Sequence, residues 1–414
     1  MNTVVDLFAG CGGLSLGLEQ AGFETVYVNE LHPDAMSTFL LNRPNSPVQA
    51  AANRSLDIYE ITKRRGALKS LAERLNSQYG HIDLVVGGPP CQGFSGIGHR
   101  RSFDVTKEEI PTNHLYREMA AVVKAIAPRA FLFENVRGLL TSRWTPDGEK
   151  GEIWSDVRKT FEKIEVVVGK EKYKYRIGWE LVFAKDYGVP QNRPRVIMVG
   201  LREDIDFEFD LKKRALGLLP EAFGGAPDPV DLLSDLEDSR WKAGGKTDMY
   251  PKMAKSEVQR RLRTVEESGI VLGKGAALTE HEYSKHSPKV VEKFEYMLAN
   301  NGSILKSMKT KKFAQRLLPK RWGPKGPSIT VTSLPDDYVH YNQPRVLTVR
   351  EWARLQTFPD TYKFSGKRTT GGRRRAGDPE TGDWTRELPK YTQIGNAVPV
   401  TLAKSIGLHL LGII

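Results

Sequence analysis

Cysteine is scarce in this chain. Its 414 residues hold two, Cys11 and Cys91, each in its own glycine-rich turn and far from the other in sequence. That excludes a disulfide framework and a four-cysteine zinc site. The eight histidines are scattered, none at zinc-ligand spacing from another ligand, so no metal is expected. No apolar run has the length to span a bilayer, and the opening Met1-Asn2-Thr3-Val4-Val5-Asp6 lacks the charged, apolar and small-residue order of a secretion signal. No internal repeat is evident, which argues against a solenoid. A reducing cytoplasm, with no membrane partner, is the expected setting. Negative charge is also in short supply: 50 acidic residues face 62 basic ones, for a net charge of +12. A solvated basic surface would show the same balance, but so would a protein whose partner is a polyanion.

What the chain does have is a regular alternation. From residue 3 to about 200, short apolar strands (3–8, 25–28, 82–86, 130–133, 179–184 and 196–201) alternate with helical stretches. This predicts an α/β fold with a parallel sheet covered on both faces. The helix ends are readable: 14–21 stops at Gly22, Pro33 opens 34–41, Leu68, Leu71, Ala72, Leu75 and Tyr79 form one stripe ending at Gly80, and 113–127 is stopped by Pro128. Residues 142–176 break the rhythm and are expected to form an excursion from the sheet. Beyond Arg202 the periods blur, as in a second, smaller domain. Two purely basic stretches lie there, Lys306 to Lys325 and Lys363 to Arg375. Either suits phosphate contact or a solvated loop. Residues 391–414 return to a strand-like start and an apolar helix, expected to pack back on the first domain.

Two turns carry the chemistry. Asp6-Leu7-Phe8-Ala9-Gly10-Cys11-Gly12-Gly13-Leu14 is a strand, a glycine turn and a helix start in succession, which lets a ligand lie against backbone. Dinucleotide enzymes use similar turns, and a tight structural turn also needs glycine. Here, however, Gly10, Gly12, Gly13, Ser15 and Gly17 depart from Gly-x-Gly-x-x-Gly, and no Lys-Ser/Thr phosphate grip follows. With Glu30 at the end of the next strand, able to hold a ribose, the pattern points to a nucleoside without phosphates, S-adenosylmethionine. The second turn, Gly87-Gly88-Pro89-Pro90-Cys91-Gln92-Gly93-Phe94-Ser95, puts a thiol where a buried strand ends, a place suited to a nucleophile. Cys11 reads instead as a small residue in a tight turn.

Asp6 to Gly13, Pro89-Pro90-Cys91-Gln92, Glu134-Asn135-Val136, Gln191-Asn192-Arg193-Pro194-Arg195, residues 345–359 and Gln393-Ile394-Gly395-Asn396-Ala397-Val398-Pro399 together resemble the ordered motif series of the DNA (cytosine-5)-methyltransferases of prokaryotes, of restriction-modification or orphan type. Six blocks in order cover the first two hundred residues and the last seventy. The resemblance implies a Rossmann-like S-adenosylmethionine-dependent methyltransferase domain with a smaller, mixed target-recognition domain. It implies a catalytic set of Cys91, which adds to carbon-6 of cytosine, Glu134, which supports N3, and Arg193 and Arg195, which position the flipped base and its phosphate. It also implies cofactor contacts from Phe8, Ala9, Gly10, Gly12, Gly13, Leu14, Glu30, Asp57, Pro90, Asn396 and Val398. Asp57 follows Leu56 where the family usually has glycine. Gln92, Ser95, His99, Arg100 and Arg101, on a glycine-hinged loop, and Lys367, Arg368, Arg373 and Arg374 are the expected DNA contacts. Trp352 and Trp384 read as core.

The implied organisation is a catalytic domain of 1–203 plus 386–414 and a small domain of 204–385, its variable part about 204–343, with double-stranded DNA in the cleft between them. One chain completes each catalytic step, so a monomer is expected. A cognate restriction endonuclease, where the enzyme has one, acts separately. The rival readings are an RNA (tRNA) cytosine methyltransferase, a catalytically silent DNA-binding relative, and a nicotinamide-dependent oxidoreductase that leaves five of the six blocks unexplained.

Overall fold

The computed structural model describes residues 1–90, 111–309, 316–369 and 387–414. Contacts divide the chain into two units. The first comprises Met1–Ala184, Pro194–Ala222 and Leu402–Ile414, the second Lys185–Arg193 and Phe223–Thr401.

The first unit is built on β1 (Asn2–Leu7), β2 (Phe23–Asn29), β3 (Arg54–Ser55), β4 (Leu84–Gly87), β5 (Ala130–Val136), β6 (Glu165–Val168), β7 (Glu171–Phe183) and β8 (Pro194–Arg202). They form one sheet in the order β3-β2-β1-β4-β5-β8-β7-β6. The first five pair in parallel, and β8, β7 and β6 add antiparallel neighbours. Helices α1 (Gly13–Ala21), α2 (Pro33–Leu41), α3 (Tyr59–Thr62), α4 (Ala67–Tyr79), α5 (Tyr116–Ile126) and α6 (Glu152–Glu162) connect them. Val5, Leu7, Val85, Phe131 and Phe133 of the strands and Leu75, Met119 and Val123 of the helices share one buried cluster. Burial on both faces is why these strands read as continuous apolar runs. The chain leaves β1 toward β2 on one side, whereas β4 lies on the other. This order reverses at the β1/β4 boundary, and in open α/β sheets ligands bind at the carboxyl ends of the strands beside such a switch.

Residues 142–176 are not an excursion. They hold α6 and a hairpin, β6 and the start of β7, that extends the sheet. Its turn places Gly169 at φ +65°, the glycine-first pattern of a two-residue hairpin. The signal was weak because both strands are edge-like, with exposed positions between the buried ones.

The second unit has little regular structure: short helices at Pro229–Leu233, Glu257–Arg263, Pro288–Ala299, Val349–Leu355 and Lys390–Asn396, and a two-residue parallel pair at 316–317 and 338–339. Fully buried ion pairs take the place of apolar periodicity. Arg345 grips Glu351 through two bonds of 2.7 Å, and Arg354 bridges Asp235 and Asp360. Trp352 is wholly buried among them.

The division differs from the sequence expectation in three places. Residues 204–222 stay with the sheet unit: Ala215 backbone packs so tightly on Gly178 that a Cβ there would lie 2.3 Å from its oxygen, and the Arg214 guanidinium lies 4.6 Å from the Trp179 ring centre. Residues 185–193 and 387–401 go with the second unit, and 390–396 is a helix rather than a strand-like start. From Leu402 onward the final helix, Val400–Leu411, belongs to the sheet unit, where Gly407 approaches Ala21 and Leu18 of α1. The stretch Lys390–Leu411 has the length and hydropathy of a membrane span, but 61% of its most apolar 18-residue window is buried within the protein, as in a core helix.

Candidate active site

The glycine turn after β1 is shaped by backbone. Phe8, a non-glycine residue, takes a left-handed φ of +59°, followed by Gly10 at +57° and Gly12 at +86°. Such a conformation costs energy at Phe8 and is retained where the surroundings enforce it. The Ala9 N–H donates to Asn29 O at 3.0 Å and the Gly12 N–H to Ala9 O at 3.0 Å. Gly10 donates its N–H to Glu30 Oε2 at 2.9 Å, and the His32 N–H donates to Glu30 Oε1 at 2.7 Å. Burial pushes the Glu30 carboxyl upward from its ordinary range, and these two N–H donors oppose the shift. Among the described residues, no atom lies within 4 Å of where a Cβ on Gly10 would stand, so open space faces the turn at this point. Gly13 and Leu14 start α1 and are buried. Beneath the turn, the Ser15 hydroxyl donates to the buried Asp6 carboxylate, whose pKa burial raises to about 7. Burial likewise pushes the Cys11 thiol up to about 12, as suits a packing residue.

Glu30 follows the end of β2, and Asp57 follows the end of the neighbouring β3. Asn29 ties the two ends together, its Nδ2 donating to Leu56 O at 2.8 Å and Ser55 Oγ at 3.0 Å. Asp57 Oδ1 accepts the Tyr59 N–H at 2.9 Å and the residue is half-exposed.

On the other side of the switch, β5 grips the loop that leaves β4. Asn135 Nδ2 donates to Pro89 O at 3.1 Å. A Cβ on Gly88 would stand 2.8 Å from Glu134 Oε2, so a side chain at residue 88 would force the carboxylate end to shift. Glu134 pairs in turn with Arg195: Nε lies 2.6 Å from Oε1, with both side chains largely buried. The register of β5 on β8 explains the pair. Val136 lies opposite Arg195 and Glu134 opposite Ile197, so Glu134 and Arg195 are diagonal neighbours on one face. Arg195 Nη1 donates to Pro194 O at 2.8 Å. Pro90 is exposed and is the last described residue before Cys91.

Arg193 belongs to the second unit and does something else. It is buried, donating from Nη1 to Val331 O at 2.9 Å and from Nη2 to Gly395 O at 2.7 Å. These bonds make it a strap between backbone segments, at odds with the expectation that it contacts base or phosphate. Its neighbours do likewise: Gln191 Nε2 donates to Gln356 Oε1 at 2.8 Å, and Gln356 Nε2 to Ile394 O at 2.7 Å. Three of the motif blocks therefore meet inside this unit. A Cβ on Gly395 would stand 2.1 Å from Thr332 O, so the glycine there serves close packing. Asn396 beside it is exposed and Val398 is buried. Lys367 Nζ lies 2.6 Å from Glu387 Oε1, and Arg368 Nη1 donates to Glu282 O at 3.3 Å. Cys91, Gln92, Ser95, His99, Arg100, Arg101, Arg373, Arg374 and Trp384 lie outside the described residues.

Sequence reasoning quoted Gly88 and Asn135 within motifs but gave them no role. Their signal was spatial: a glycine and an amide at the ends of adjacent strands, one facing the Glu134 carboxylate and one holding the loop that leaves β4. Arg43, which contacts the glycine turn from the end of α2, carried no sequence signal.

A family model for the C-5 cytosine-specific DNA methylases matches residues 2–411. The Type II methyltransferase M.Eco47II of Escherichia coli is 32% identical across 99% of this chain and 79% of its own length. M.DdeI of Desulfomicrobium norvegicum is 29% identical across 97% of this chain and 87% of its own. Among solved structures, a DNA modification methyltransferase encoded within an E. coli prophage covers the whole chain and 99% of its own at a TM-score of 0.67 and 23% identity. Spodoptera frugiperda DNMT2 shares the fold more loosely, at a TM-score of 0.51 and 16% identity, with 99% of this chain and 100% of its own covered. With the turns after β1 and β4 on either side of the β1/β4 switch and the family model spanning nearly the whole sequence, the chain belongs to the C-5 cytosine-specific DNA methylases and is a DNA cytosine-5 methyltransferase.

Proposed function

We propose that this enzyme takes its methyl group from S-adenosylmethionine and places it on carbon-5 of a cytosine flipped out of a short, specific duplex sequence. The observation that carries the residue roles is the buried Glu134–Arg195 pair beside Gly88, at the root of the loop that continues into Cys91.

The residues around the first turn fit the cofactor. Gly10 faces open space, and Glu30, already bound by two N–H groups, has lone pairs left for ribose hydroxyls. Phe8, Ala9, Gly12, Gly13 and Leu14 would form the wall, with Asp57 near the adenine end and Pro90, Asn396 and Val398 as further contacts. When bound, S-adenosylmethionine supplies an electrophilic methyl on a sulfonium centre.

Cytosine carbon-5 is a poor nucleophile, so the Cys91 thiolate first adds to carbon-6. Electron density moves toward N3, where Glu134 donates or shares a proton. Arg195 holds that carboxyl in place. Once carbon-5 carries its methyl, loss of its proton and departure of the Cys91 sulfur restore the ring. Arg193 acts from behind, through the backbone it holds. A target base inside a duplex is out of reach, so it must rotate out at a cost of a few kcal/mol. The loop residues Gln92, Ser95, His99, Arg100 and Arg101 and the basic Lys367, Arg368, Arg373 and Arg374 are assigned to the phosphates. The Type II relatives favour a place in a restriction-modification system, and we propose a cytoplasmic monomer with a separately acting endonuclease. Bisulfite sequencing of host DNA after expression tests the reading: methylcytosine confined to one sequence context is expected, and unmodified DNA would refute it.

A further inference from the structure

Arg43 belongs to none of the six motif blocks, yet its side chain reaches the cofactor turn from just beyond the end of α2. It is buried, its guanidinium lying 3.8 Å from the Phe39 ring centre. Each of its three nitrogens donates. Nε donates to Glu19 Oε1 at 2.8 Å and Oε2 at 3.1 Å, Nη1 donates to Phe39 O at 3.0 Å, and Nη2 donates to Gly12 O at 3.3 Å. The Gly12 carbonyl is also the acceptor for the Leu16 N–H, the first bond of α1. Gly12 is the left-handed residue that opens this helix, and no side chain caps it. Glu19 is fixed as well, its Oε1 accepting the Thr25 hydroxyl at 2.6 Å.

Turn residues 9–12 are thus held from two sides. In front, Asn29 and Glu30 accept N–H groups of Ala9 and Gly10. Behind, Arg43 holds the Gly12 carbonyl and fixes how α1 starts. The same guanidinium is the cation facing the buried Asp6 under the turn, against the like charges of Glu19 and Glu30. Removing it would free the Gly12 peptide to rotate and leave the buried Asp6 and the partly buried Glu19 without this cation.

We infer that Arg43 is a positioning residue for the cofactor site, setting the Gly12 peptide and hence the wall against which S-adenosylmethionine binds. The inference rests on the cofactor reading above. A planar fork is needed because one head must reach a carboxylate and a carbonyl at once, which an ammonium cannot do with the same geometry.

The test compares Arg43→Ala and Arg43→Lys with the unsubstituted enzyme, by calorimetric binding of S-adenosylmethionine, by steady-state methylation of duplex DNA and by thermal unfolding without cofactor. Arg43→Ala is expected to raise both Kd and KM for the cofactor about tenfold, the equivalent of one charge-assisted hydrogen bond, with kcat at saturating cofactor unchanged. Arg43→Lys, which keeps the cation, should fall between the two. A purely structural arginine would lower the unfolding temperature and leave the cofactor constants of the folded protein alone. A folded Arg43→Ala protein that binds cofactor as tightly as the original, or that loses kcat with KM unchanged, would overturn the inference. Should Arg43→Ala not fold, Arg43→Lys decides: a severalfold weaker constant supports the role and an unchanged one overturns it. Failure of the unsubstituted protein to bind S-adenosylmethionine would instead remove the cofactor assignment beneath it.

Discussion

Arg195 reaches from β8 to β5 and sets its Nε 2.6 Å from Oε1 of Glu134, where both side chains are largely out of water. Burial alone would lower the guanidinium's pKa, and the Glu134 charge counters that shift. The pair holds a carboxyl group still beside the root of the Cys91 loop. Glu134→Gln keeps the shape and removes the carboxyl group that serves N3. Its kcat should fall by about 10²- to 10⁴-fold, the usual contribution of a positioned acid, with cofactor affinity preserved. Single-turnover methylation and calorimetry check this, and an unaltered rate would strip Glu134 of its role.

Gly88→Ala tests the approach of that carboxylate without touching it. The new Cβ would crowd Glu134 Oε2 at 2.8 Å and push it against Arg195. Rate should drop about tenfold or more, because small misplacements of reacting groups are costly. Stability should change by less than about 1 kcal/mol, since the flexible carboxylate end can yield. Paired rate and melting measurements separate the two effects.

Glu30→Ala removes the acceptor that holds the Gly10 and His32 N–H groups and faces the cofactor turn. Loss of about 1.5–3 kcal/mol in S-adenosylmethionine binding is expected, the range for hydrogen bonds to a charged group. Unchanged calorimetric affinity would take Glu30 out of the site.

Acid should weaken the second unit. His281 is buried, sharing hydrogen bonds with Thr348 Oγ1 and Leu236 O, and burial lowers its pKa from 6.5 to about 4. His340 falls to about 3, again chiefly through burial, with Arg345 opposing protonation and Glu351 favouring it. Arg354 and Lys252 also face these rings with like charge. Both imidazoles stay neutral in the folded protein while the unfolded chain takes up protons below about pH 6.5. The unfolded state therefore binds more protons, and stability falls as pH drops from about 6.5 toward 4, by up to about 1.4 kcal/mol per pH unit for each group. Denaturant titrations across that window check the slope, which His281→Gln should reduce. A flat profile would refute it.

The parallel core and the glycine turn after β1 were legible because their signals are local: apolar runs buried on both faces, and glycine where φ is positive, as at Gly10 and Gly12. Glu30, singled out for its place at a strand end, accepts the Gly10 N–H of that turn. The β6–β7 hairpin was missed because its half-exposed strands carry charge between their buried positions. Arg193 and Arg195 look equivalent in sequence, two residues apart, yet one straps Val331 and Gly395 and the other holds Glu134. Only the three-dimensional neighbours separate them. The second unit was opaque because its interior is held by Arg345, Arg354, Glu351 and Asp360, residue types that a pattern reader assigns to the surface.

The most direct test of the account is a trapping measurement. Duplex DNA carrying 5-fluorocytosine at the methylated position, identified by bisulfite sequencing, is incubated with enzyme and S-adenosylmethionine, and the product is digested and mapped by mass spectrometry. The account predicts a stable adduct joining the base to the Cys91 sulfur, absent from Cys91→Ser. Methylation in the same context with no adduct at Cys91 would contradict it.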